Sequence, residues 1–352
     1  MKKENIYLVG FGWATMGFLH NIDTSLYNVS VISDSDHFLY TPLLAQNVVL
    51  NCDLTIHINS LKHKCCYIND KITDIDFKEN LVKSKGNEYN YNYVVFAHGS
   101  DVNTFNIYGV QDFTYFLKTN SDYKKIRDKL NNLLEPSTIA IIGCGLTGSE
   151  LIGTLNDLKK HNIVAIDALK RPLSTFRESL SFYTYDLWKK QNVNIMLNSV
   201  VKKINKSSIE LKDNTIVPFD LAIWCGGVKI TALSKIINEK LQLNDRKGIP
   251  VDKYLKINNT ENAFAIGDCA SAGYPPSAQV AYQQGKFLAN NFNRNLKSKP
   301  FVFDNKGQVG YIGNYQSVFQ NNYFSGSGRI IGALNTAIHL YNFGKIYVLS
   351  KL

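Results

Sequence analysis

The chain has 352 residues, 45% hydrophobic and 19% charged, a composition that excludes a disordered or fibrous protein and gives room for more than one core. Its formal net charge of +10 favours anionic partners, but no basic helix, zinc finger or RNA-binding motif accompanies it, so no nucleic-acid partner is expected. The six cysteines, Cys52, Cys65, Cys66, Cys144, Cys225 and Cys269, include no CxxC or CxxxxC pair, so neither a redox dithiol nor a metal site is expected.

From the N-terminus, an apolar run is broken by Gly10, Gly12 and Gly17. It reads as a strand and its turn rather than a signal or transit peptide, and a cytoplasmic protein is expected. No stretch of about 18 apolar residues is present, so no membrane span is expected. The strand Ile6–Val9 runs into Gly10 and Gly12, and a helix follows to Leu19. This is the order in which a dinucleotide-binding turn is built: the glycines permit a tight turn, and the helix N-terminus meets the pyrophosphate. Thr15 stands at the third-glycine position, where helix and strand must pack closely, with Gly17 as the residue that relieves the crowding. After the next strand, Val29–Ser33, Asp34 stands where a ribose-binding acid belongs. Ser33 takes that place if the connection is one residue shorter.

The pattern then repeats. Thr138–Ile142 is an apolar strand leading to Gly143, Gly145 and Gly148, with Glu150 in the helix beyond and Asp167 at the end of the next strand. Asp167 suits a ribose 2′-hydroxyl and favours NADH, while Lys170 and Arg171 nearby could take a 2′-phosphate. Two such turns in one chain imply two dinucleotides, the arrangement of flavin–nicotinamide reductases. The expected fold is therefore α/β, with two Rossmann-like halves and a small antiparallel crossover. Further on, Gly226 ends a strand at Trp224 with room for a ring to approach the backbone, and Gly267–Asp268 ends another. Pro275 and Pro276 open a helix on which Gln279 and Gln283, four apart, share a face. Taken alone, two such glutamines are most often solvated.

These residues together resemble the type II, non-electrogenic NADH:quinone oxidoreductases of the FAD-dependent pyridine nucleotide-disulfide oxidoreductase superfamily, over nearly the whole chain. Gly10, Gly12 and Trp13 match the opening GxGW. The segment His37–Leu44, with Thr41, Pro42 and Leu43, matches a segment beside the flavin; Val94–Gly99 matches the strand that leads into the NADH domain; and Pro275–Gly285 matches the quinone-site helix. The last discriminates best, because glycine turns are common to the superfamily. The resemblance implies FAD and NADH as cofactors, with hydride passing from NADH to FAD and two electrons going on to a quinone without proton pumping. It implies that FAD is held by Gly10, Gly12, Trp13, Ser33 or Asp34, Thr41, Pro42, Leu43, Gly99, Gly267, Asp268, Ala278 and Gln279. NADH would be held by Gly143, Gly145, Gly148, Glu150 and Asp167, with Gly226 open to the nicotinamide or the flavin, and the quinone would lie near Gln279, Gln283 and Gln284, with Glu178 between the two substrates.

The expected organisation is an FAD-binding domain over 1–104 and 258–293, an inserted NADH-binding domain over 105–257, and a C-terminal region over 294–352. In that tail Ile330, Ile331, Leu334, Ile338 and Tyr341 recur at helical spacing. This reads as an in-plane amphipathic contact through 329–352 with the inner face of a membrane, or equally as a helix packed on the body of the protein or on a homodimer partner. A sulfide:quinone oxidoreductase or disulfide reductase needs a cysteine pair near the flavin and is disfavoured because no cysteine lies between Cys144 and Cys225. A soluble NAD(P)H oxidoreductase with another acceptor, and a non-catalytic flavin- or NAD-binding redox sensor, remain as alternatives.

Overall fold

A computed structural model describes residues 3–61, 65–297 and 299–351. The first half contributes β1 (Glu4–Val9), α1 (Trp13–Leu19), β2 (Tyr27–Ser33), β3 (Cys65–Asn69) and β4 (Tyr93–Phe96). The second contributes β5 (Tyr115–Phe116), β6 (Thr138–Ile142), α2 (Leu146–Asp157), β7 (Asn162–Ile166), α3 (Glu178–Lys190), β8 (Asn194–Met196) and β9 (Leu221–Trp224). The chain then supplies β10 (Ala263–Ala265) and α4 (Ala278–Phe292). It ends in β11 (Gln308–Gly313), β12 (Gln316–Gln320), β13 (Ser325–Gly328) and α5 (Arg329–Lys351).

The fold is α/β with two parallel five-stranded sheets. The first has the order β10-β4-β1-β2-β3 and the second β5-β9-β6-β7-β8. In each, the strand before the glycine turn lies at the centre. Both its faces are covered, which explains why these strands read as unbroken apolar runs. In β1, Ile6 and Leu8 enter the core beneath α1 and α4, while Val9 enters the core on the opposite face. In β6, Ile139 and Ile141 point to one core, and Ala140 and Ile142 to the other. Each half also carries a three-stranded antiparallel sheet, at 74–90 and 201–218.

Two short strands, Asp101–Val102 and Val228–Lys229, pair antiparallel where the chain leaves the first half and returns to it. The return therefore comes well before residue 257, the expected boundary. Leu233, Ile237, Ile249 and Ile257 are buried with Ile32 and Phe96 of the first sheet. Their apolar spacing suits either core, and only the tertiary contacts assign them to the first.

The tail begins as an antiparallel meander, β11–β13, seated on the inserted half. Gly153 of α2 meets Gly313 so closely that a Cβ on Gly153 would lie 2.5 Å from the Gly313 nitrogen, and Trp188 Nε1 donates to the Ile312 carbonyl at 3.0 Å. From there α5 crosses back to the first half, where Ile346 joins the core and Tyr40 bonds His339 Nδ1 at 3.3 Å. The five apolar residues of the expected amphipathic stripe fall within about 100° of the helix surface, but that arc runs from solvent to core. Ile331 is buried and Ile338 half-buried, whereas Ile330, Leu334 and Tyr341 are exposed. Among the described residues no helix is long and apolar enough to cross a membrane.

Candidate active site

The two glycine turns are built alike. Gly10 donates to the Ile32 carbonyl at 2.9 Å and Gly143 to the Ile166 carbonyl at 2.8 Å. Both adopt positive φ, +104° and +100°, and a Cβ would strike the chain at Ala97 in one case and at Cys225 in the other. Gly12 and Gly145 are the N-caps of α1 and α2. Neither helix start carries a side-chain cap, and open space surrounds both glycines. Uncapped amides facing open space fit a dinucleotide pyrophosphate.

The third position differs between the halves. A Cβ on Gly148 would sit 1.8 Å from the Gly143 carbonyl oxygen. Its counterpart Thr15 is fully buried and donates its hydroxyl to the Gly10 carbonyl at 2.7 Å. The crowding expected at Thr15 is thus replaced by a hydrogen bond. Gly17 serves another contact: its Cβ would lie 2.2 Å from the Tyr282 carbonyl oxygen, and that of Gly285 1.9 Å from the Ala14 carbonyl oxygen. Helices α1 and α4 therefore cross backbone to backbone.

The matching amide bonds also align the ribose positions. Ile32 corresponds to Ile166, so Ser33, not Asp34, corresponds to Asp167. Asp34 turns outward to an exposed ion pair with Lys71 at 3.1 Å, while Ser33 is buried and its hydroxyl accepts the Ser35 amide at 3.1 Å. Asp167 is held from two sides, Oδ2 accepting the Cys144 amide at 2.5 Å and Oδ1 the Leu169 amide at 2.8 Å. Lys170 and Arg171 line a cavity of about 480 Å³ just beyond it. Gly226 lies against the Trp224 ring, whose Nε1 donates to the carbonyls of Asn103 and Gly226 at 3.0 Å. Glu150 is buried where α2 meets β11; burial pushes its carboxyl up to about 8, opposed by the Tyr311 amide.

Around the first turn, Trp13 Nε1 donates to Thr41 Oγ1 at 2.9 Å, and its ring packs on Phe38 and Tyr40. Thr41, Pro42 and Leu43 form a single helical turn beside it. Next to Gly99, His98 bonds Ser234 at 2.9 Å through Nε2, while its Nδ1 is buried with no hydrogen-bond partner among the described residues. Burial lowers this imidazole to about 4. Asp268 is mostly buried, and burial raises its carboxyl despite the nearby Lys118 ammonium. Lys118, which the sequence did not single out, donates to Ser100, and Ser100 Oγ donates to Asp268 Oδ2 at 3.3 Å. An orphaned buried nitrogen, a sterically exacting glycine turn and a fixed carboxylate together fit FAD. A separate cluster, Asp36, His37 and His57, brings together side chains of metal-ligating type. Here it acts as a clasp: His57 Nδ1 accepts the Asn59 amide at 3.0 Å, so its Nε2 proton is directed to Asp36 at 3.2 Å.

The glutamines of α4 all bond to backbone. Gln284 is buried and accepts the Gly267 amide at 2.6 Å. Gln279 and Gln283 do share a face, and that face is occupied. Gln279 accepts the Lys306 amide at 2.8 Å and donates to the Gly307 carbonyl at 3.3 Å. Gln283 pairs with both backbone groups of Asp304, at 3.0 and 2.9 Å. A free amide pair awaiting a quinone carbonyl is therefore not what the structure shows. Ala278 is the first helical residue, behind the Ser277 cap. Glu178 opens α3 and is exposed. It follows Arg177, which with Arg171, Pro275 and Gln320 lines a cleft of about 800 Å³ between the inserted half and the tail. The clasp at 304–307 and Arg177 had no periodic or motif signal, and Arg171 was read only as a candidate 2′-phosphate ligand.

Residues 4–285 match the model of the pyridine nucleotide-disulphide oxidoreductase family. A probable NADH dehydrogenase of Dictyostelium discoideum is 30% identical, covering 94% of this chain and 83% of that protein. A probable mitochondrial NADH-ubiquinone oxidoreductase of Schizosaccharomyces pombe is also 30% identical, covering 83% of this chain and 63% of that protein. This chain thus spans a little under two thirds of the length of the latter. The structure of NDH2 from Plasmodium falciparum in complex with NADH superimposes with a TM-score of 0.90 at 23% identity, covering 99% and 98% of the two chains. The chain belongs to the pyridine nucleotide-disulphide oxidoreductase family, in its type II NADH dehydrogenase branch.

Proposed function

We propose that the protein is an FAD-dependent NADH:quinone oxidoreductase that pumps no protons. The observation that carries this reading is the pair of equivalent turns at Gly10 and Gly143, one in each half of a single chain. Bound FAD would supply a two-electron relay between NADH and the acceptor. NADH would bind the second turn, its pyrophosphate at the start of α2 and its ribose hydroxyls donating to Asp167. The two amides that already hold Asp167 fix the direction of its remaining lone pairs. Gly10, Gly12, Ser33, Gly99 and Asp268 would hold FAD, with Trp13, Thr41, Pro42 and Leu43 as a wall. Hydride transfer needs stacking and orientation rather than an acid–base pair, so these groups act by positioning.

On the acceptor side, Gln279 and Gln283 would act by pinning 304–307 beside α4, and Gln284 by fixing Gly267. Glu178 would lie at the lip of the cleft. The protein would reach a membrane-held quinone as a peripheral protein, through α5. That helix turns Asn335, His339 and Ser350 inward while leaving Ile330, Leu340 and Tyr341 at 86%, 69% and 67% exposure. An apolar face turned to water, in a chain of net charge +10, suits an anionic lipid surface. The test is the flavin spectrum of the purified protein: bleaching by NADH and recovery on adding a quinone are expected. A colourless protein that takes up no FAD would refute the reading. A flavin that NADH reduces but quinones leave reduced would instead favour another acceptor.

A further inference from the structure

We propose that Lys118 is a positioning residue for FAD, acting across the boundary between the two halves by fixing the carboxylate of Asp268 through Ser100. This rests on the reading that Asp268 binds FAD.

Lys118 belongs to the inserted half. Leu117 beside it is buried in that half's core, and the Lys118 amide donates to Asp122 Oδ2 at 3.1 Å, within the cap of the helix Asn120–Asn131. The backbone is thus anchored in one half while the side chain reaches into the other. There Nζ donates to the Ser100 carbonyl and, at 3.2 Å, to the Ser100 hydroxyl. An ammonium cannot accept, so the Ser100 hydroxyl must accept from Lys118 and turn its own proton outward. The group that receives it is Asp268 Oδ2, at 3.3 Å. The direction of the chain is therefore set by the charge at its start.

Asp268 requires such support. It sits in the single turn Gly267–Cys269, and burial favours its neutral form. A neutral carboxyl would present a proton where the proposed FAD site needs an acceptor. Lys118 is the cation that opposes this. Burial also lowers the ammonium, while Asp268, Asp101 and Asp122 raise it. Lys118 and Asp268 thus each stabilise the charged form of the other, and Ser100 converts that attraction into an orientation.

The test is a double-mutant cycle on the FAD dissociation constant, read from the fluorescence of flavin released as purified holoenzyme is diluted. Lys118→Met should weaken FAD binding about tenfold, the worth of one charge-assisted hydrogen bond. Asp268→Asn should weaken it at least as much. The double variant should lie within about twofold of Asp268→Asn alone, because the lysine acts through that carboxylate. Lys118→Gln keeps a donor to Ser100 without the charge and should resemble Lys118→Met, whereas Lys118→Arg should recover most of the affinity. Losses that multiply in the double variant, or a Lys118→Gln protein that holds FAD as the parent does, would overturn the proposal. A Lys118→Met chain that fails to fold leaves the Gln and Arg variants to decide. If the parent protein itself binds no FAD, the proposed function fails; if it binds FAD and the cycle is additive, only the role of Lys118 fails.

Discussion

Ser33 and Asp167 are counterparts, each following the strand residue whose carbonyl accepts the amide of the leading glycine. The two halves thus present different chemistry at one place: a neutral hydroxyl in the first and a carboxylate held by two amides in the second. Asp167→Ala is expected to raise the NADH dissociation constant by about tenfold or more while FAD stays bound. Equal loss of both ligands in equilibrium dialysis would contradict the assignment of the halves.

The same alignment separates Ser33 from Asp34. Asp34 is spent on a solvated pair with Lys71, worth about 0–1 kcal/mol. Asp34→Ala should therefore leave FAD retention unchanged, whereas Ser33→Ala should speed flavin release on gel filtration. The reverse order would return the ribose to Asp34.

Thr15 and Gly148 solve one packing problem in two ways. Thr15→Val removes the donor to the Gly10 carbonyl and should cost about 1–3 kcal/mol in urea unfolding. Gly148→Ala places a carbon against the Gly143 carbonyl and should disturb NADH binding more than FAD binding. A Thr15→Val protein as stable as its parent would show that the bond carries little weight.

These positions mark what the sequence conveys. The glycine turns, the strand before each and the helix after each were legible because φ, close approach and burial leave few residue choices. The partner of a side chain was not. Spacing places Gln279 and Gln283 on one face, but what lies opposite depends on 304–307, a segment without regular structure. Lys118 and Arg177 escaped notice for the same reason: each works from a loop onto a distant backbone. Leu233 and Ile237 carry an apolar pattern that either core would accept, and only their packing with Ile32 and Phe96 tells which they join.

Because Gln283 grips both backbone groups of Asp304, Gln283→Leu should release that segment from α4. The expected outcome is slower reoxidation by quinone in stopped flow, with bleaching by NADH unaltered and a loss of about 1–2 kcal/mol in stability. Unchanged reoxidation would remove 304–307 from the acceptor side.

Glu150 gives the fold a pH signature. Its folded value is about 8 against about 4.3 for the free side chain, so between these limits the folded chain holds a proton that the unfolded chain has released. Its contribution is present below the unfolded value and is lost as pH rises toward 8. Glu150→Gln should therefore melt at a higher temperature than the parent at pH 8, with the gap closing toward pH 4.5. A gap that does not vary with pH would mean the carboxyl is not protonated in the folded protein.

The outward face of α5 predicts sedimentation with vesicles rich in anionic lipid, weakened by salt. Leu340→Glu with Tyr341→Glu should abolish it and leave NADH-dependent bleaching unchanged. If those changes instead halve the mass seen in light scattering, the face joins two copies.

The crossing of α1 and α4 at Gly17 and Gly285 leaves no side-chain layer to absorb a shift between them. One helix starts at the turn proposed for the FAD pyrophosphate, and the other starts beside the proposed acceptor cleft. A displacement on the proposed acceptor side would thus reach the turn proposed for the FAD pyrophosphate with little damping. How tightly FAD is held should then depend on what occupies the acceptor side, without any moving loop to connect them.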